Sequence, residues 1–187
     1  MNGGDEKNMN KDEEVQQVGE MIDRWLDAID SQPEIAGKSQ SEVDEIDTII
    51  DSFVEIAIVG LNKQPASWDV DLLADVMFSR FTLLLDGDEK TDSLFQLIPF
   101  ALTHLFSYLD HEGIIKNGSQ LNQWVKDNSK ALRSMYDSNF DAFYSRLVRA
   151  MKDADVDLED KSAVDAFTKK YLSQHPQDGI DLYSKKK

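Results

Sequence analysis

The sequence predicts an all-α protein, a single irregular helical bundle of about six to seven helices with disordered N- and C-terminal tails. Apolar residues recur at three- and four-residue spacing along most of the chain, the period of an amphipathic helix. Only 9 Gly and 4 Pro stand among 187 residues, too few for the turns of an all-β architecture. A 41% hydrophobic and 30% charged composition is that of a globular chain able to bury one sizeable core.

Taken in order, residues 1–12 are polar and aperiodic and read as a disordered acidic tail. Val15, Val18, Ile22, Trp25, Leu26 and Ile29 then define a helix that ends before Pro33. Ser39 and Glu42 match a capping box, in which hydroxyl and carboxylate satisfy reciprocal backbone amides at a helix start. The helix they open begins as a stripe (Val43, Ile46, Ile49, Ile50, Phe53) and widens to Ile56–Leu61, the expected centre of the core, with a short strand over those last residues as the competing reading. These elements make an N-terminal helical hairpin over 13–64.

A C-terminal bundle over 65–175 is expected to pack on the hairpin. After Pro65, Ser67 or Asp69 caps a helix carrying Leu72, Leu73, Val76, Met77, Phe81, Leu84 and Leu85. The next runs from about Thr91 to His111, with Pro99 either in its first turn or kinking it, and Gly113 as a left-handed C-cap. Ser119 opens a fifth helix reaching Met135, and helices over Phe140–Met151 and Lys161–Leu172 follow. Residues 176–187 read as a tail.

The chain carries a formal charge of −16, spread unevenly. Residues 1–60 hold 16 Asp/Glu against 4 Lys/Arg, a net −12, whereas residues 111–187 hold 12 against 13, a net +1. Such a field repels nucleic acid and anionic lipid and suits a basic partner; it also keeps a protein soluble without any partner. With no cysteine, disulfides, thiolate zinc sites and cysteine nucleophiles are all excluded. The polar, acidic start (Met1 to Glu14) lacks the pattern of a signal peptide, and no stretch approaches 18 consecutive apolar residues, so a cytoplasmic location without membrane contact is expected.

Motifs for chemistry are weak. Asp153, Asp155 and Asp157 have the alternation of a calcium loop, but Leu158 stands where the loop needs Gly and Val164 where it needs a bidentate Glu. That segment reads as an interhelical turn with Asp157 as N-cap. His104 and His111 are separated by two helical turns, about 10 Å, too far to share an ion. Glu55 has no second group with which to form an acid–base pair and reads as a rim carboxylate. Gly-rich phosphate loops, nucleophile elbows and dinucleotide fingerprints are missing from the sequence, so no cofactor and no metal is expected.

The run Ser67-Trp68, Ile98-Pro99, Phe106, Tyr108-Leu109, Gly113-Ile114, Leu121, Val125, Asn128 and Asp137-Ser138-Asn139-Phe140 resembles an uncharacterised bacterial all-helical domain seen in some proteins that carry a SEC-C zinc motif. The resemblance spans about residues 66–172 and implies a bacterial helical domain. The zinc motif does not carry over, because the cysteines it needs are missing.

The resulting expectation is a non-enzymatic, acidic helical protein-interaction module of the bacterial cytoplasm. Its candidate partner-binding face is Glu20, Asp23, Asp27 and Asp30, its unknown protein partner basic, and its hairpin suited to a homodimer. One alternative is a helix-turn-helix-like DNA-binding regulator that uses the Ser119–Lys130 helix with Lys126, Lys130 and Arg133 on phosphates, although the global charge disfavours nucleic acid. The other is an enzyme with an interhelical site of unfamiliar type.

Overall fold

A computed structural model describes residues 5–179, with side chains described from residue 11. The described residues contain no strand and are mostly helical, in ten α-helices rather than six or seven. They form two compact units, residues 1–135 and 136–187, so the segments 13–64 and 65–135 both belong to the first.

In the first unit α1 covers Asp5–Asp30, beginning well before the expected start near residue 13. Residues 5–12 contain neither Pro nor Gly, and their Glu, Lys and Met favour continuation of the helix. Residues 1–4 lie outside the described residues. A short α2 (Pro33–Ala36) starts at proline, whose fixed φ suits a first helical position. The capping box forms as expected at α3 (Gln40–Glu55): Ser39 Oγ accepts from Glu42 N at 3.3 Å, and Glu42 Oε2 from Ser39 N at 3.1 Å. Beyond Glu55 the chain makes a π-helical turn over Ile56–Gly60 instead of either a continued α-helix or a strand. A 3-10 turn follows at Pro65–Ser67.

Asp69 caps α4 (Val70–Asp75), its carboxylate accepting from Leu72 N at 2.8 Å. A second π turn at Val76–Arg80 separates α4 from α5 (Phe81–Leu84), so one expected helix becomes three pieces. The two π turns pack on each other. Central α6 (Asp92–His111) buries Leu94, Phe95, Ile98, Ala101, Leu102, Leu105, Phe106 and Leu109, with Pro99 in its interior and not in its first turn. Gly113 adopts φ +71° just past its end, the left-handed conformation that glycine reaches without steric cost. The expected fifth helix is broken at Asn128 into α7 (Gly118–Asp127) and α8 (Ser129–Arg133). Asn128 leaves the helical region (φ −100°, ψ 6°) and its Nδ2 donates to Trp124 O at 2.9 Å, offering the backbone an alternative to the helical ladder.

The core lies between α3 and α6. Phe53, Trp68 and Phe106 meet edge to face, with centroids 5.2 Å (Phe53–Trp68) and 5.6 Å (Phe53–Phe106) apart, and Trp68 Nε1 donates to Lys63 O at 2.9 Å. A fully buried indole thus keeps its donor satisfied.

The second unit is a helical pair, α9 (Ser138–Asp153) and α10 (Lys161–Gln174). Phe143, Leu147 and Met151 form its small core against half-buried Val156, Val164, Phe167, Tyr171 and Leu172. Asp160, not Asp157, caps α10; Asp157 accepts from Glu159 N within the turn, where Asp155 takes φ +53°. Residues 176–179 continue as a helical turn tied down at Asp178 by Arg146 (3.2 Å) and Tyr171 (3.3 Å), in place of the free tail expected there; residues 180–187 lie outside the described residues.

Candidate functional site

On α1 the four expected acidic residues fall within an arc of about 80° at 100° per residue. Val18, Ile22, Trp25 and Ile29 bury the opposite side. Glu20, Asp23 and Asp27 are exposed, while Asp30 is half-buried. Asp30 points into the seam with α3, where its carboxyl is hydrogen-bonded to Asp47.

Asp47 belongs to a second acidic stripe that the sequence reading missed. Asp44, Asp47, Asp51 and Glu55 follow one another at three- and four-residue steps along α3 and so share a face. Burial, then the charge and hydrogen bond of Asp30, then the charges of Asp44 and Asp51, push Asp47 up to about 7. Asp51 is also raised, by burial and by the charges of Glu55, Asp23 and Glu89. Asp30 is raised by burial and by Asp27, against the opposing effect of its hydrogen bond to Asp47. Two adjoining carboxylates in a partly desolvated seam resist ionising together, and Asp47 is the one pushed further toward its protonated form.

The ion pairs Lys38–Glu42, Arg80–Asp75 and Arg146–Asp178 involve no residue of either stripe. The Glu20 carboxylate accepts an amide hydrogen from Gln16 (3.1 Å) while its backbone oxygen accepts from Arg24 Nε (3.2 Å), and the Asp44 carboxylate accepts one from Gln40 (2.8 Å). Glu45, by contrast, is a structural carboxylate. It accepts from Thr91 Oγ1 (2.9 Å) and Ser93 Oγ (2.6 Å) at the start of α6, where a negative charge suits the helix dipole.

The basic residues of the DNA-binding alternative divide. Lys126 and Arg133 line an open cleft of about 570 Å³ between α6, α7 and α8, while Lys130 does not. Leu121 and Val125 of the supposed reading helix are buried, and Trp124 packs on Phe78 with centroids 5.9 Å apart. Gly118, at the start of α7, sits so close to α6 that a Cβ there would lie 2.6 Å from the Asp110 side chain and 3.0 Å from Phe106 O. The N-terminal turn that a recognition helix inserts into a groove is thus seated against its own protein.

Glu55 is exposed, at the edge of a smaller cleft of about 380 Å³ that it forms with Arg80 and the apolar Ile56, Val59, Leu83 and Leu84. His104 is half-buried and its Nδ1 lies 3.0 Å from Gln32 Oε1; burial holds its pKa below the ordinary value, with Glu34 opposing and Lys38 assisting. Among the described residues no three His, Cys, Asp or Glu side chains converge as a metal site, and no helix is long and apolar enough to cross a membrane. Comparison with protein-family models, with curated proteins and with solved structures found no match.

Proposed function

We propose that this chain is a non-catalytic interaction protein that holds a basic protein partner against the acidic α1–α3 surface. The observation that carries the reading is the pairing of two like-charged stripes on adjoining helices, eight carboxylates that outnumber the nearby cations Arg24 and Arg80 and take part in none of the ion pairs Lys38–Glu42, Arg80–Asp75 and Arg146–Asp178. Like charges at these spacings oppose folding by a few tenths of a kcal/mol per pair, about 0.2–0.5. A sequence that needed only solubility gains nothing by concentrating them along one seam. A basic surface docked there relieves the repulsion, and the field speeds its arrival.

The test is the ionic-strength dependence of the complex recovered from native lysate after nuclease treatment. Electrostatic docking predicts a stoichiometric protein partner that dissociates progressively as salt is raised. Recovery insensitive to salt contradicts the reading, and recovery abolished by nuclease favours the nucleic-acid alternative.

A further inference from the structure

The cleft between α6, α7 and α8 reverses the character of the acidic surface. No carboxylate appears in its lining, in a chain of net charge −16, whereas Lys126 and Arg133 both face it. Neither cation has an ion-pair or hydrogen-bond partner among the described residues. Two cations turned into one space repel each other, and a guanidinium with all its donors open fits a phosphate or carboxylate in bidentate fashion. Ser119 and Lys126, seven residues apart on α7, stand on the same helical face, so the wall has its cationic end toward α8 and a hydroxyl toward the start of α7.

The remaining surface is suited to a different part of a ligand. Buried Pro99 and Val125 and half-buried Phe100 give an apolar floor. With Nδ1 donating to Gln32, the His104 ring leaves Nε2 as an acceptor. The volume of about 570 Å³ falls within the range of roughly 300–1,000 Å³ typical of small-molecule sites. Polar side chains surrounding the apolar floor of Pro99, Phe100 and Val125, with the cations toward one end, suit one acidic group on a small body that is apolar on one side. A polyanion would instead need cations repeated along an accessible surface.

We propose that this cleft binds a small organic anion, its phosphate or carboxylate held by Lys126 and Arg133 and its apolar body resting against Pro99, Phe100 and Val125. The acidic surface plays no part in it, so the two readings stand or fall separately.

The experiment is an amide NMR titration of the full chain with phenyl phosphate and, in parallel, benzoate, each compared with phenol and with inorganic phosphate. Phenyl phosphate or benzoate is expected to give saturable shifts confined to residues 99–104 and 119–133, phenol none there, and inorganic phosphate weaker ones. Reversing both cations (Lys126→Glu with Arg133→Glu) is expected to weaken binding at least ~10-fold. The same charge change placed in the second unit (Lys152→Glu with Lys161→Glu) is expected to leave it intact. Both reversed pairs lie on exposed side chains, so the fold is retained. No saturable shift with either aryl anion, shifts centred elsewhere, or equal weakening by both double variants overturns the assignment.

Discussion

Asp30 and Asp47 share a hydrogen bond across the α1–α3 seam, and an oxygen of each carboxyl is buried where no other donor reaches it. The proton between them makes the first unit sensitive to pH. Folded Asp47 keeps its proton up to about pH 7, whereas an unfolded Asp releases it near pH 3.9. Across that window the folded chain binds more protons, so this contribution to stability is fully present below the unfolded value and is lost as pH rises through about 7.

Asp47→Asn should therefore flatten the pH dependence. The amide can donate to Asp30 at every pH, so the variant is expected to gain about 1 kcal/mol over the parent near pH 8 and little or nothing near pH 4, a figure discounted for solvent screening of a partly exposed group. Urea unfolding followed by tryptophan fluorescence measures it, because Trp25, Trp68 and Trp124 all lie in the first unit. A variant whose gain does not depend on pH would show that no proton is shared.

Trp68 links the α3 and α6 sides of the core through Phe53 and Phe106 and satisfies its own N–H on Lys63 O. Trp68→Ala is expected to cost about 3–5 kcal/mol through cavity formation, with Trp68→Phe costing less because the ring contact survives and only the hydrogen bond and part of the volume are lost. The urea midpoints, read by circular dichroism, should fall in that order.

Two glycines give a paired prediction. Gly118→Ala forces a methyl into the Asp110 side chain and Phe106 O and should destabilise by about 1–3 kcal/mol. Gly19→Ala places the same methyl in open space within α1 and should stabilise by up to about 1 kcal/mol. Equal effects in thermal unfolding would contradict the close approach of α7 to α6.

Local signals were the legible ones. Ser39 with Glu42, Asp69 and Gly113 announce their caps because capping depends on a few adjoining residues. The π turns at Ile56 and Val76 carry no such signature, since their apolar spacing fits an α-helix and the difference arises where they pack on each other. Asp157 lost its role to Asp160 because an acidic turn offers several equivalent caps and the geometry of the turn chooses between them.

The candidate sites follow the same division. Glu20, Asp23, Asp27 and Asp30 could be read as one helical face, and Asp44, Asp47, Asp51 and Glu55 show the same spacing, but their juxtaposition depends on how α1 lies on α3. The cleft was illegible for a similar reason. One wall comes from residues 99–104 and the other from residues 119–133, and Lys130 looks equivalent to Lys126 until the break at Asn128 separates them.

Charge reversal at Glu20, Asp23 and Asp27 asks whether the acidic α1–α3 surface holds a basic partner. These residues are exposed, so Lys at all three should leave the fold unchanged by circular dichroism, whereas Asp30 is left intact because of its bond to Asp47. Quantitative mass spectrometry of nuclease-treated pull-downs should then show the stoichiometric partner of the parent chain lost from the folded variant. Undiminished recovery of every partner by that variant would mean that the acidic surface does not hold them.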